Sequence, residues 1–279
     1  MNPCAGPWKP TSPIMPVKAF TPGVTSSASS GFDVDAAAFF AAAGITDGTQ
    51  KTAVNTLVLS LKSYSIWTKL YALYPFVGGA ASPHSYNLVN PALYQISWTG
   101  GLTHDGNGIT GNGTTGFGNT GFNASTNGFT STAGGLGVYI RNNTASGYDM
   151  GSSDSAISNC TDIAARYTGG TNCYCFHGSN GSATSTTNAD SRGLFVGQRA
   201  GGNIDLYRNG SLLASGAVMF NNLSTNAVYI CGENRGGSAI EFSNHNYGAA
   251  LIHDTLTAQN NTDLYTAIQA YETALSRNV

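Results

Sequence analysis

The stretch DLYRNGSLLAS (205–215) decides the fold, because its pattern predicts two strands joined by a two-residue turn. A type I′ hairpin needs a positive φ at both central positions, and Asn-Gly is the pair that best meets this need. Asn209 and Gly210 occupy those positions, and Leu206 and Leu212 flank them at matching alternation. We therefore expect an antiparallel β hairpin here.

The sequence after this hairpin predicts further strands and a closing helix. AVYICGENRGGSAIEF (227–242) has the composition of a strand, and YGAALIHDTLTAQNNTDLYTAIQAYETALSRNV (247–279) predicts a strand that leads directly into a helix. Thr257 is a natural N-cap for that helix. Its apolar stripe consists of Leu264, Ile268, Tyr271 and Leu275. Such an amphipathic helix is expected to lie against a sheet, covering an edge or an end.

Composition indicates an ordered, turn-rich β protein. Only 9% of the 279 residues are charged, against about a quarter in ordinary globular domains. Apolar residues make up 41%, and 36 glycines provide turns, so a core can form although the charge is low. The formal charge of −2 provides no field that would attract nucleic acid or an anionic membrane.

No targeting or membrane segment is expected from the sequence. No apolar run reaches the eighteen or so residues that a transmembrane helix needs. The first residues also lack the basic and then apolar layout of a signal peptide. If the protein acts outside a cell, we expect it to leave by lysis as part of a particle.

Residues 1–30 are rich in proline, which fixes φ and removes hydrogen-bond donors, so an extended segment is expected. We interpret this segment as an attachment arm that docks on a partner, with Trp8 and Phe20 as its anchors. The alternative interpretation is a solvated tail.

Residues 31–80 predict a short helical module. Asp33 is placed to cap a first helix that Gly44 ends, and Asp47 stands at capping-box spacing from Gln50 before a second. The apolar face of the second helix consists of Val54, Leu57, Val58 and Leu61. This module either packs on the β domain or forms a neck that trimerises, and the sequence leaves both open.

Residues 81–279 predict a β sandwich, because some ten short strands alternate with turn residues. The stretch 100–135 is dense in glycine and threonine and is expected to form strands with long loops. Further strands are predicted at LYQISW (93–98), LGVYIRN (136–142), DIAARYT (162–168), CYCFHG (173–178) and RGLFVGQRA (192–200).

Taken in order, these segments resemble the laminin-G-like (concanavalin A-like) jelly-roll domains of bacteriophage virion proteins. The resemblance also rests on the segments 33–88, 99–122, 148–155 and 190–199. It implies a mainly β fold, a jelly-roll β-sandwich with a short N-terminal helical module and a C-terminal helix. The cysteines at 173, 175 and 231 and the Pro-rich arm depart from that family's pattern.

The resemblance also implies a function. It indicates a non-enzymatic virion structural protein, such as a fibre, spike or capsid decoration subunit, exposed on the particle surface. Its expected partners are other virion proteins through the arm, and host surface glycans. Homo-oligomerisation is expected, with a trimer typical of fibre-like relatives. The alternatives are a dedicated carbohydrate-binding lectin module and, less favoured, a glycoside hydrolase.

The carboxylates do not predict an enzyme. Hydrolases of this fold usually carry Glu-x-Asp-x-Glu on one strand, which sets the carboxylates on one face. The chain has three glutamates, Glu233, Glu241 and Glu272, and none lies in such a motif. A short connection between Glu233 and Glu241 is expected to turn these two side chains to opposite sides. A Gly-x-Ser-x-Gly nucleophile elbow is also missing.

A sugar site is expected in loops, where aromatic platforms combine with polar groups. The candidate ligand-binding residues are Trp98, His104, Asp105, Tyr148 and Asp149. The alternative is that Trp98 and Tyr148 are core or edge residues.

No metal or cofactor is expected. Cys173, Cys175 and His177 should share one strand face, but a zinc site needs a further close ligand pair. We expect these cysteines to be buried free thiols. A calcium site built from Asp149, Asp154 and Asn142-type oxygens is a weaker alternative, because loop carboxylates are scarce.

Overall fold

The computed structural model describes residues 31–169, 172–179 and 182–279. Phe32–Val279 form one compact unit. Residues 1–30, with Trp8, Phe20 and Cys4, lie outside the described residues, so the attachment arm stays a prediction. In the described part of the chain, no helix is both long and apolar enough to cross a membrane.

In the part of the chain that the structure describes, four α-helices and one 3-10 turn accompany the strands. They are α1 (Val34–Ala43), α2 (Gly48–Ser63), a 3-10 turn (Trp67–Lys69), α3 (Ala81–His84) and α4 (Ala258–Ala274).

The strands form two sheets, as the fold prediction required. The first sheet contains β1 (Leu70–Tyr74), β3 (Thr103–Asp105), β4 (Gly108–Thr110), β6 (Ala133–Ile140), β11 (Gly193–Ala200), β12 (Asn203–Arg208), β13 (Ser211–Ala217) and β17 (Asn246–His253). The second sheet contains β2 (Ser97–Thr99), β5 (Phe117–Asn123), β7 (Met150–Ser153), β8 (Cys160–Ala164), β9 (Asn172–Ser179), β10 (Thr184–Thr187), β14 (Ala227–Ile230), β15 (Glu233–Arg235) and β16 (Ser238–Ile240).

The order of the strands shows which of them lie at the edges of the two sheets. The strand order of the first sheet is β13-β12-β11-β6-β17-β4-β3, and β1 also pairs with β17. The strand order of the second sheet is β10-β9-β8-β7-β14-β5-β2, and β15 also pairs with β7 and β16. Neighbours are antiparallel except for β15 and β7, which are parallel. The protein is therefore a mainly β, antiparallel sandwich with a C-terminal helix, as expected.

The two helices predicted before the sandwich form as expected. The Asp33 carboxylate accepts a hydrogen bond from the Asp35 amide at 3.0 Å, and Gly44 ends α1 in the left-handed region. Asp47 caps α2 by accepting from the Gln50 amide at 2.8 Å. The predicted apolar face of α2 is buried.

The described residues form three layers, the helices, the first sheet and the second sheet, with a hydrophobic cluster at each of the two boundaries. One cluster joins α1, α2 and α4 to the outward side chains of the first sheet, such as Tyr139 and Leu251. The other lies between the sheets and contains Val138 and Ile252 from those same strands. The helices thus pack on the sandwich, and β1, inside the expected helical module of 31–80, pairs antiparallel with β17. The central strands of the first sheet are therefore buried on both faces.

The Asn-Gly hairpin is confirmed. Asn209 and Gly210 have φ values of 49° and 78° and connect β12 to β13. The Asn209 carboxamide oxygen also accepts a hydrogen bond from the Leu194 amide at 2.9 Å, which ties the turn to β11. Leu206 is buried, whereas Leu212 is 53% exposed, because Leu212 pairs with Tyr207 and therefore lies on the opposite face from Leu206.

Two predicted strands differ from the structure. Within LYQISW (93–98), only the last two residues belong to β2, because Tyr94 takes a positive φ of 55° that interrupts an extended strand. The segment 227–242 forms three short strands rather than one. Cys231 takes a φ of 64°, and Gly236 and Gly237 turn the chain between β15 and β16.

The C-terminal helix is anchored by a buried ion pair. Thr257 and Asn260 form a reciprocal capping box at its start. Beyond its end, the Arg277 guanidinium donates to both Glu272 carboxylate oxygens at 2.9 Å and to the Phe76 carbonyl at 2.9 Å. Arg277 is 1% exposed and Glu272 is fully buried. The last residues are therefore fixed to the sandwich.

Replacing Arg277 by alanine should destabilise the fold by about 3–5 kcal/mol, because it leaves the Glu272 carboxylate buried without a partner. Urea unfolding followed by tryptophan fluorescence measures this loss. Arg192→Ala is the matched control, since Arg192 pairs with Asp190 at the surface and its loss should change stability little. Equal stability of the two variants would contradict this role for the ion pair.

Candidate functional site

The outer face of the second sheet carries the candidate site. Along β9, Cys173, Cys175 and His177 are buried, whereas Tyr174 and Phe176 are half-buried and point the other way. The prediction that the two cysteines and the histidine share a face is confirmed, and that face lies in the core. Burial raises the pKa of both thiols. They are thus core side chains, and the aromatic residues face outward.

Two carboxyl groups occupy the centre of this outer face. Asp162 on β8 and Glu233 on β15 are both cross-strand partners of Gly151 on β7. A side chain at position 151 would overlap the Asp162 carboxylate, so only glycine leaves room for it. Asp162 is 2% exposed and Glu233 is 1% exposed. Ionisable groups are rarely buried to this extent.

Glu233 has strong partners. The Arg235 guanidinium donates to one of its carboxylate oxygens at 2.6 Å and to the other at 3.3 Å. The Ser153 hydroxyl donates to the same carboxylate. This bidentate ion pair and the hydroxyl saturate the carboxylate and fix its orientation.

Asp162 has a different environment. Its Oδ1 atom is buried and has no hydrogen-bond partner among the described residues. Burial, and next the Glu233 carboxylate, raise the pKa of Asp162 well above its ordinary value, while Arg235 and a hydrogen bond with the Ser152 backbone act in the opposite direction. Asp162 therefore holds a proton more readily than an exposed aspartate does.

Aromatic side chains stand around the two carboxyl groups. The Tyr148 ring lies 5.2 Å from Tyr167 and 6.1 Å from Phe176. Tyr174 lies 5.6 Å from Tyr167 and stacks with Phe176 at 6.5 Å. All four rings are half-buried. They present an aromatic surface beside the carboxyl centre.

Glu241 completes the group. Burial, and next the Glu241 carboxylate, raise the pKa of Tyr167 to about 12. Both Glu233 and Glu241 raise the pKa of Arg235. The expectation that these two glutamates face opposite sides was therefore wrong, because Glu241 takes a φ of 50° that turns its side chain. We call the following residues the aromatic–carboxylate cluster: Tyr148, Asp162, Tyr167, Tyr174, Phe176, Glu233, Arg235 and Glu241.

The structure brings three of the predicted ligand-binding residues together at the sandwich edge formed by β2 and β3. The Trp98 and His104 rings lie 4.8 Å apart, and Asp105 follows His104 directly. The Trp98 indole donates to the Ala81 carbonyl at 2.9 Å. His104 approaches His84 with their Nδ1 atoms 3.0 Å apart. Trp98 packs against the core between the sheets, which is the alternative that the sequence left open.

Burial lowers the pKa of the histidines at this edge. The pKa of His84 falls to about 3, through burial and then through His104. The pKa of His104 is also lowered by burial, although Asp105 acts in the opposite direction. Both imidazoles are therefore neutral at pH 7, and one donates a hydrogen bond to the other.

The other two predicted ligand-binding residues, Tyr148 and Asp149, lie in different environments. Tyr148 belongs to the aromatic–carboxylate cluster, but Asp149, which directly precedes β7, is fully buried. Its carboxylate lies 2.6 Å from His245 Nδ1 and accepts from the Tyr247 hydroxyl at 2.7 Å and the Ala165 amide at 2.7 Å. This corrects the prediction for Asp149, which holds an internal polar network and is not open to a ligand.

The calcium alternative gains no support from these positions. Asp154 accepts from the Ser158 amide at 2.6 Å, and Asn142 accepts from the Asn246 amide at 2.7 Å, while Asp149 is enclosed as described. Across residues 31–169, 172–179 and 182–279, no three His, Cys, Asp or Glu side chains converge as a metal site.

Sequence reasoning missed Asp162 and Arg235 as members of one site. The pattern of DIAARYT (162–168) predicts a strand, but not that its first residue belongs to a site. The sequence signal that could have revealed Asp162 is a carboxylate at the start of a predicted strand, directly before Ile163. Alternation then places Asp162 outward, on the face that Phe176 occupies.

Comparison with known proteins gives only distant structural likeness. No family model and no curated protein matches the chain. Domain 4 of AbnA, an extracellular GH43 arabinanase from Geobacillus stearothermophilus in complex with arabinotriose, aligns with a TM-score of 0.43 and 13% identity, over 70% of this chain and 98% of that one.

Two further solved structures are similar at the same level. The binding domain of botulinum neurotoxin serotype D has a TM-score of 0.46 and 12% identity, over 72% of this chain and 52% of that one. A Trypanosoma rangeli sialidase has a TM-score of 0.48 and 12% identity, over 77% and 39%. Since all three scores lie below 0.5, the fold assignment rests on the strand pairing of the chain itself. The resemblance to phage virion proteins stays a prediction.

Replacing Asp162 by asparagine should stabilise the protein at pH 8 and have a smaller effect at pH 4. The raised pKa means that the folded state binds the proton more tightly than the unfolded chain, so stability falls as the pH rises from about 3.8 through the raised value. Groups that act on Asp162 or surround it are Glu233, Arg235, Glu241, Tyr148, Tyr167, Cys160 and Cys175.

Thermal unfolding at both pH values measures this effect, and each kcal/mol recovered should raise Tm by about 2–4 °C. Asp263→Asn on α4 removes the same charge away from the cluster and should leave Tm nearly unchanged. A variant at position 162 that lowers Tm equally at pH 4 and pH 8 would show that the buried carboxyl group does not destabilise the fold.

Proposed function

We propose that this chain is a non-enzymatic phage virion structural protein that contacts host surface glycans through the aromatic–carboxylate cluster. The observation that supports the proposal most is the clustering itself. Aromatic rings, carboxylates and a guanidinium lie together on the one sheet face that α1, α2 and α4 leave uncovered.

This combination of side chains suits a sugar. The C–H face of a pyranose packs against an aromatic ring, and its hydroxyls donate to carboxylates. The surface between Tyr174, Phe176 and Glu241 offers both kinds of contact.

The burial of the carboxyl groups favours binding over catalysis. Glycoside hydrolysis needs one carboxylic acid and one carboxylate that reach the glycosidic bond from either side. Here Asp162 and Glu233 are almost completely enclosed, and Glu233 is held by Arg235 and Ser153. These contacts suit a fixed floor beneath a ligand.

A hydrolase is the second candidate, and one observation favours it. The raised pKa of Asp162 beside Glu233 is the pattern in which one carboxyl group keeps a proton for use as a general acid. Release of reducing ends from bacterial polysaccharides tests this. Release that the Asp162→Asn variant loses would replace the binding role with a catalytic one.

The virion setting follows from the resemblance of the sequence to phage jelly-roll proteins. In a particle, many copies of one weak glycan site act together, and avidity exceeds the affinity of a single site. Fibre, spike and capsid decoration subunits all fit this proposal, as does a homo-oligomer such as a trimer.

Replacing Tyr174 by alanine should weaken glycan binding about tenfold, the effect of losing roughly 1.4 kcal/mol of aromatic contact. A glycan array identifies the ligand, and surface plasmon resonance measures its affinity. Tyr86→Ala is the control, because Tyr86 is half-buried against the helix-side core and is expected to leave binding unchanged. An array without any bound glycan at high multivalency would end the proposal.

Removing residues 1–30 should abolish incorporation into particles while the sandwich still folds, because Phe32–Val279 form a compact unit without them. Immunoblotting of purified particles measures incorporation, and circular dichroism checks the fold. Substitution of Trp8 and Phe20 by alanine in the full chain tests the same arm without a truncation. Normal incorporation of both variants would show that attachment lies elsewhere.

A further inference from the structure

We infer that the aromatic–carboxylate cluster selects uncharged or amino-bearing sugars and rejects sugars that carry a carboxylate, such as uronic and sialic acids. This inference rests on the proposed glycan-binding function and specifies its ligand class. Three observations lead to it: the balance of charge, the pairing of Arg235 with Glu233 and the acceptor oxygens of Glu241.

The charge of the cluster is unfavourable for an anion. It contains three carboxyl groups, at Asp162, Glu233 and Glu241, and one guanidinium, at Arg235. Even with Asp162 protonated, two carboxylates face one cation. Because these groups are buried or half-buried, solvent screens them less than it screens surface charges. An anionic sugar would meet net repulsion.

The positive charge of Arg235 is already balanced by Glu233. Recognition of a carboxylate by arginine uses the two parallel N–H groups of the guanidinium. In this structure Arg235 already donates to both oxygens of Glu233, at 2.6 Å and 3.3 Å. A sialic or uronic acid would have to share this guanidinium with Glu233, whose negative charge lies beside it and reduces the attraction.

The hydrogen-bonding capacity that remains favours donors on the ligand. Asp162 is almost completely enclosed, so the ligand's hydrogen bonds fall to the half-buried Glu241. The Glu241 carboxylate raises the pKa of Tyr167 and, like other carboxylates, has lone pairs that can accept hydrogen bonds. Hydroxyl and amino groups supply donors for these oxygens, whereas a ligand carboxylate supplies none.

Polymer-displayed monosaccharides test the selection directly. The probes are N-acetylglucosamine, glucosamine, glucuronic acid and N-acetylneuraminic acid, each on the same polymer and applied to the full chain at pH 7. Surface plasmon resonance should show binding of the neutral or amino probe and at least about tenfold weaker binding of the two acidic probes.

Neutralising one carboxylate should relax the discrimination. Glu241→Gln keeps the shape of the side chain, and we expect it to strengthen binding of the glucuronic acid probe about fivefold relative to the neutral probe. Asp263→Asn changes the net charge of the protein equally but lies on α4, so the ratio should stay constant. A parallel shift in both variants would mean that overall charge, and not the cluster, sets the preference.

The outcomes separate this inference from the proposed function. Acidic probes that bind as tightly as neutral ones, with the Tyr174→Ala variant losing both, would overturn the selection and leave glycan binding intact. Absence of binding to all four probes and to a full glycan array would overturn both. Preferential binding of neutral or amino probes that Tyr174→Ala abolishes supports both.

Discussion

The burial of the first sheet on both faces is the constraint on which the rest of the structure depends. Alternate residues of β6, such as Val138 and Tyr139, enter different hydrophobic clusters, one between the sheets and one beneath the helices. A strand buried in this way has no face left for a ligand. Recognition by a sheet face therefore falls to the second sheet, whose outward residues are polar and aromatic.

On that second sheet, Gly151 organises the candidate site. As a cross-strand partner of both Asp162 and Glu233, it supplies the space in which their carboxyl groups meet. Such a pair of buried acids opposes folding at neutral pH, and proteins tend to retain destabilising groups where function needs them. Glu233 is held by Arg235 and Ser153, whereas Asp162 keeps a buried oxygen without a partner among the described residues.

The parts of the fold that the sequence predicted are those set by local chemistry. Asn209-Gly210 makes its hairpin because only a few residue types accept the required φ values, and Thr257 begins α4 because its hydroxyl caps the first turn. The alternation of Cys173 and Cys175 predicted a shared face for the same reason. Each of these depends on residues within a few positions of one another.

The site could not be predicted in the same way, because its members lie far apart in the chain. Tyr148, Asp162 and Glu233 meet only through the order β8-β7-β15, which no local pattern reveals. The segment that follows β14 also bends twice, which brings Glu241 to the side of Glu233. Asp149 shows the opposite error, since a polar residue in an expected loop proved to be fully buried.

The most direct test of the account is a crystal structure of the protein soaked with a neutral oligosaccharide that it binds. The account predicts electron density for the sugar on the outer face of the second sheet, with a ring against Tyr174 or Phe176 and a hydroxyl within hydrogen-bond distance of Glu241. Density only at the Trp98–His104 edge, with the second sheet bare, would contradict it.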